Sequence, residues 1–167
     1  MGEAPAIRAA TSSDAAAVAE IYNWYIANTV ITFEVDPVSE DEMARRIAGV
    51  LANHEWLVLE RAGELLGYAY AGRFRERAAY GQATESTIYL RHDLPGKGFG
   101  GPLYAELIRR TFARGYRHLV GAIALPNEPS VRLHERLGFV PAGRLVRIGY
   151  KFGRWIDVGN WQLERPD

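Results

Sequence analysis

The sequence contains no cysteine, which excludes a disulfide framework, a thiolate metal site and a cysteine nucleophile. Neither sign of charge is in excess, because 20 Lys plus Arg stand against 20 Asp plus Glu. Nothing in that balance attracts a phosphate backbone, so nucleic acid is not an expected partner. No stretch approaches the ~20 apolar residues that cross a bilayer, and the opening MGEAPAIRAA lacks the basic start and apolar core of an export signal. Ala6 stands where a myristoylation pattern needs Ser or Thr. These absences predict a cytoplasmic chain with no membrane association, and a reducing compartment suits the missing cysteine.

What is present is globular: 48% hydrophobic and 24% charged residues in a chain of 167, the size of one domain, so residues 1–167 are read as a single unit. Thr11 with Asp14 offers a capping-box start, and Val18, Ile21, Tyr22 and Tyr25 then recur at helical spacing, predicting a helix to about Tyr25. Ser39 with Glu42 repeats the signal for a second helix ending near Asn53, and the segment between the two reads as a loop. Residues 56–60 and 65–71, turning at Gly63, read as a hairpin, and Thr84 to Leu90 as a further strand. Pro102 and Gly115 bound a third helix; His118 to Ala124 is a strand, Ser130 to Leu137 a short helix after Pro129, and strands follow to Leu163. The order predicts an α+β fold on one mixed, mostly antiparallel sheet.

Between the Thr84–Leu90 strand and the third helix lies Leu94-Pro95-Gly96-Lys97-Gly98-Phe99-Gly100-Gly101. Glycines at that density let backbone N–H groups converge ahead of a helix N-terminus, which suits a pyrophosphate; the alternative is a flexible turn. The segment satisfies G-x-G-x-x-G by letter, but the following strand carries no acidic residue, and Lys97 precedes a glycine rather than the Ser or Thr of a Walker loop.

With these residues the loop resembles the acyl-CoA pyrophosphate loop of GNAT-type N-acetyltransferases, Arg/Gln-x-x-Gly-x-Gly/Ala, with Pro95 in the place of the usual Arg or Gln. Leu125-Pro126-Asn127-Glu128-Pro129-Ser130-Val131-Arg132-Leu133-His134-Glu135-Arg136-Leu137-Gly138-Phe139 resembles the second family segment. The ordered landmarks Ile21-Tyr22-Asn23, Thr32-Phe33, Trp56-Leu57-Val58, Glu85-Ser86-Thr87-Ile88-Tyr89, Gly149-Tyr150-Lys151 and Trp155 with Asp157-Val158-Gly159 are similar to the phosphinothricin and methionine sulfoximine acetyltransferases. The resemblance implies the GNAT fold, a homodimer, and transfer of acetyl from acetyl-CoA, with no metal, to the α-amine of a small acidic amino-acid analogue. Acetylation of protein N-termini and acyl-CoA binding without turnover are the alternatives.

Acetyl transfer needs a neutral amine, hence a base, and Glu85 is the candidate, sharing one face of its strand with Thr87 and Tyr89. A backbone N–H near Leu90 is the expected oxyanion donor. The resemblance implies that Ile88, Tyr89 and Leu90 pair with the CoA arm beside the cradle of Gly96, Lys97, Gly98, Phe99, Gly100 and Gly101. Asn127 holds that arm or caps the following helix. His134 occupies the place where many relatives have a Tyr, as an acid for the leaving thiolate or as a hydrogen-bond partner only. Arg73, Arg75 and Arg77 cluster before the Glu85 strand, and Arg grips carboxylate or phosphinate in bidentate fashion. By the resemblance Arg75, Arg77, Tyr80, Tyr89 and Phe33 bind substrate, in the same subunit or its partner.

Overall fold

The hydrophobic runs assemble on both faces of a seven-stranded sheet. The computed structural model describes residues 4–94, 96 and 98–167, so Lys97 and Pro95 lie outside the described residues. Chain order is β1 (Ala6–Ala9), α1 (Ala15–Asn28), α2 (Glu40–Leu51), β2 (Trp56–Arg61), β3 (Glu64–Arg73), β4 (Ala83–Leu90), α3 (Gly100–Ala113), β5 (His118–Leu125), α4 (Glu128–Arg136), β6 (Val140–Lys151) and β7 (Arg154–Glu164). The strands lie in the order β1-β2-β3-β4-β5-β7-β6. All neighbours are antiparallel except β4 and β5, which is the mixed α+β sheet that the element order predicts.

β2 explains how the layers are held. Its side chains alternate between faces, and Trp56 to Leu59 are all buried, so both faces must be covered. Trp56 and Val58 join Tyr68 against Val18 and Ile21 of α1 and Met43 and Ile47 of α2. Leu57 and Leu59 pack on the other face with Leu103, Tyr104 and Leu107 of α3. A strand buried on both sides reads as the continuous apolar run WLVL rather than as an alternation.

Local chemistry sets the helix ends. Thr11 N–H donates to the Asp14 carboxylate at 2.7 Å, but one turn of 3-10 helix follows and α1 starts only at Ala15. α1 runs to Asn28, past the end at Tyr25 that the stripe suggests, because Ile26 extends the buried face and Thr29 N–H and Oγ1 both close onto the Tyr25 carbonyl. Ser39 Oγ accepts from Glu42 N–H, as its box predicts. Asn127 Oδ1 accepts from Ser130 N–H at 3.3 Å, so α4 begins at Glu128, two residues before the predicted start, with Pro129 in its first turn.

Parallel pairing of β4 with β5 covers only Ala83–Glu85 against His118–Val120. Beyond Glu85 the strands part, while β4 keeps its antiparallel ladder with β3 to Leu90. A gap therefore opens inside the sheet beside Glu85. No helix among the described residues is long and apolar enough to cross a membrane.

Candidate active site

A cleft of about 330 Å³ occupies the gap. Glu85, Ser86, Thr87, Ile88 and Tyr89 of β4 form one wall, and Ala122–Ala124 of β5 with Asn127, Ser130 and His134 the other. Ile31, Thr32 and Phe33, from the segment between α1 and α2, border the cleft with Tyr22 and Tyr70. Of the sequence-predicted residues, the cleft thus brings together Glu85, Ile88, Tyr89, Asn127, His134 and Phe33. Leu90, Arg75, Arg77, Tyr80 and the glycine loop lie outside its lining.

Register places Glu85 opposite Gly72, Thr87 opposite Tyr70 and Tyr89 opposite Tyr68, so the three share the face that α1 and α2 cover, as the strand period predicts. Glu85 is exposed at the cleft mouth, while the walls of the cleft still remove part of the water around its carboxyl. Burial raises its pKa, and the positive charge of Arg75 opposes that rise. A carboxyl so placed holds its proton closer to neutral pH than an ordinary glutamate, which suits a base for an ammonium group.

His134 is 3% exposed, and burial, against the opposing hydrogen bond to Ser130, lowers its pKa and favours the neutral ring. Its Nδ1 lies 2.8 Å from the Ser130 carbonyl, which only accepts, and its Nε2 lies 3.0 Å from the Tyr104 hydroxyl. Tyr104 OH is in turn 2.7 Å from Ser86 Oγ. Gly121 makes room for the ring, since a Cβ there would stand 2.4 Å from His134 Nε2. Gly121→Ala is therefore expected to destabilise the fold by about 1–3 kcal/mol through overpacking, read as a lowered midpoint in urea at an unchanged slope.

The segment at the cleft mouth is tied from three sides. Asn23 holds Val38 by both its amide atoms, at 2.9 and 2.8 Å. Thr32 Oγ1 meets Tyr22 OH at 2.7 Å, and the buried Lys151 ammonium donates to the Thr32 carbonyl at 2.8 Å. Phe33 closes over β6 at Gly149, where a Cβ would fall 2.3 Å from its ring. Tyr22, Thr32 and Gly149 stand in the sequence only as landmarks of the resemblance, with no role attached, and Gly121 and Tyr104 carry no local sequence signal.

Arg75 is exposed and lies over the rings of Phe74 and Tyr80, at 4.9 and 5.5 Å. Arg77 precedes the 3-10 turn Ala78–Tyr80 and is exposed. Neither forms an ion pair among the described residues. Arg73 instead donates to the carbonyls of Arg75 and Glu76, bracing the segment that carries the other two.

Acetyl-CoA fits the features around this cleft. Gly96 and Gly98 have φ of +73° and +76°, a backbone that L side chains rarely adopt, and α3 begins two residues later, so unhindered N–H groups stand at a helix N-terminus. The β4 edge facing β5 has no strand partner beyond Glu85. Leu90 ends that edge, and its carbonyl already accepts from Tyr25 OH at 2.7 Å. Arg91 is engaged by Glu64 and Asp93, and His92 stacks on Trp24 at 4.1 Å.

A parted parallel strand pair, a glycine loop before a helix and a crowded carboxylate at the gap define an acyl-transfer fold. Residues 7–159 match the acetyltransferase (GNAT) domain model, and the chain belongs to that family. It is an acetyl-CoA-dependent N-acetyltransferase related to the phosphinothricin and methionine sulfoximine acetyltransferases. The phosphinothricin N-acetyltransferase of Streptomyces viridochromogenes is 42% identical over 95% of this chain and 86% of its own length. The L-methionine sulfoximine/L-methionine sulfone acetyltransferase of Pseudomonas paraeruginosa is 37% identical over 94% of this chain and 92% of its own. Among solved structures, a GNAT superfamily phosphinothricin acetyltransferase from Sinorhizobium meliloti in complex with acetyl-CoA superposes with a TM-score of 0.92 at 37% identity, covering 96% of this chain and 88% of that one.

Proposed function

We propose that this enzyme acetylates the α-amine of a small acidic amino-acid analogue of the phosphinothricin or methionine sulfoximine type. The observation that carries the reading is the Glu85 carboxyl, with its pKa raised by burial, at the point where β4 and β5 separate. When bound, acetyl-CoA supplies an activated acetyl thioester. Glu85 takes the proton from the substrate ammonium, directly or through one water, and leaves the nitrogen neutral. Arg75 and Arg77 bind the acidic end of the substrate, with Tyr80 and Tyr89 as hydroxyl partners and Phe33 as cover. His134 serves the leaving group as acid or hydrogen-bond partner.

The backbone of Gly96 to Gly101 holds the pyrophosphate, and Ile88, Tyr89, Leu90 and Asn127 hold the pantetheine arm. At Gly98 a β-branched side chain meets the positive φ and costs ~1–3 kcal/mol. Gly98→Val is expected to weaken acetyl-CoA binding by about tenfold in calorimetry, and unchanged binding would move the cradle elsewhere. Leu145, Val146, Ile148, Tyr150, Phe152 and Trp155 on the β6–β7 hairpin are 51 to 67% exposed, which favours a homodimer through this hairpin. Sedimentation velocity checks it.

The deciding experiment is CoA release from acetyl-CoA with a panel of amines. Turnover of phosphinothricin or methionine sulfoximine supports the assignment. Turnover confined to peptide N-termini would point to a protein acetyltransferase, and binding of acetyl-CoA without turnover to an acyl-CoA-binding module.

A further inference from the structure

The three side chains Ser86, Tyr104 and His134 form a chain that joins the two walls of the cleft, Ser86 on β4 and His134 on α4, through the buried Tyr104. Tyr104 is fully buried on α3 and His134 nearly so on α4; Ser86 is 4% exposed and lines the cleft from β4. Contacts of 2.7 Å and 3.0 Å join them in that order.

Hydrogen-bond accounting fixes the direction of each bond. The Ser130 carbonyl accepts and cannot donate, so the neutral imidazole carries its proton on Nδ1. Nε2 is then an acceptor, and the Tyr104 hydroxyl must donate to it. That leaves the Tyr104 oxygen to accept from the Ser86 hydroxyl. Every proton in the chain therefore points from the Ser86 wall of the cleft toward His134. The Ser130 hydroxyl lies farther from Nδ1, at 3.5 Å, than the Ser130 carbonyl at 2.8 Å, and Gly121 of β5 and Phe139 at 5.0 Å carry no charge, so the tautomer rests on the Ser130 carbonyl and Tyr104.

We infer that Ser86, Tyr104 and His134 form a proton path that accepts a proton from the cleft, with Tyr104 as the positioning residue that fixes the acceptor tautomer of His134. A proton arriving at Ser86 Oγ displaces the serine proton to the Tyr104 oxygen, and the tyrosine proton moves to His134 Nε2. Three bonds to hydrogen form and three break, counting the one broken on the arriving group, and the charge ends on the imidazolium. Burial disfavours that charged ring, so the proton returns by the same path in the opposite sense. His134 is thus an acid only after it has been loaded. This refines its assignment above and rests on the acetyl-transfer reading for its use, though not for its geometry.

Two measurements test it. The first is the nitrogen NMR of His134 near pH 7 in the full-length enzyme, which is expected to show the Nδ1–H tautomer. An Nε2–H tautomer, or an imidazolium, would overturn the path whether or not the enzyme turns over. The second is Tyr104→Phe, which keeps the ring and removes the link. It is expected to lower kcat with methionine sulfoximine by ~10-fold or more, to shift the pH profile of kcat, and to leave the acetyl-CoA KM within about twofold. Thermal melting separates a folding defect, and Ser86→Ala, which leaves the His134–Tyr104 contact intact, is expected to reproduce the kinetic loss. Full kcat with an unshifted pH profile in both variants would overturn the path. If no amine is acetylated by the wild type, the substrate assignment fails, and the NMR result alone decides the path.

Discussion

Glu85→Gln is expected to lower kcat by ~10²-fold or more at neutral pH while acetyl-CoA affinity changes little. The amide keeps the size of the side chain but cannot take a proton. The pH dependence carries the sharper sign. Glu85 works as the carboxylate, so the wild-type rate should climb as pH rises through its pKa, and crowding has moved that pKa above the ordinary glutamate value of 4.5. Arg75→Ala removes the opposing charge and should move the climb to higher pH, whereas Glu85→Gln should abolish it. A glutamine variant with normal turnover across the pH range would remove Glu85 from the chemistry.

The second large effect concerns the substrate. Arg75→Ala or Arg77→Ala should each reduce kcat/KM for phosphinothricin or methionine sulfoximine by ~10- to 150-fold, the equivalent of about 1.5–3 kcal/mol for one charge-assisted contact. A neutral amine should be affected far less by the Arg77 change, because it has no acidic end to lose. Arg75 carries a second influence through Glu85, so its neutral-amine rate must be compared at a pH above the climb. Equal losses on acidic and neutral amines would make both arginines structural. Following activity on dilution would tell whether they serve their own cleft or a partner's.

Most elements were legible because their signals are local. The Ser39–Glu42 box starts α2, the WLVL run requires a strand covered on both sides, and strand alternation puts Glu85, Thr87 and Tyr89 on one face. Where neighbours in space are far apart in sequence, the residues gave no such signal. Lys151 reaches the Thr32 carbonyl across 119 positions, and Tyr104 meets His134 across 30. Gly121 reads as an ordinary interruption of a strand until the ring beside it is known. His134 was found only through a resemblance, and its tautomer depends on a hydroxyl from another helix. Arg73 belongs to the same arginine cluster in sequence, but it donates to the Arg75 and Glu76 carbonyls and braces the segment instead.

The three-rung pairing of β4 with β5 also bears on thermodynamics. Peptide groups along the parted edge need partners, and in the free protein water is the one at hand. A ligand arm that replaces this water with fixed donors and acceptors binds the folded chain and has no counterpart in the unfolded one. Stability is then linked by mass action to cofactor supply, rising by about 2.7 kcal/mol when the ligand stands at a hundredfold of its dissociation constant. The melting temperature of this enzyme becomes a reading of acetyl-CoA concentration, and a cell short of the donor would hold a less stable protein as well as an idle one.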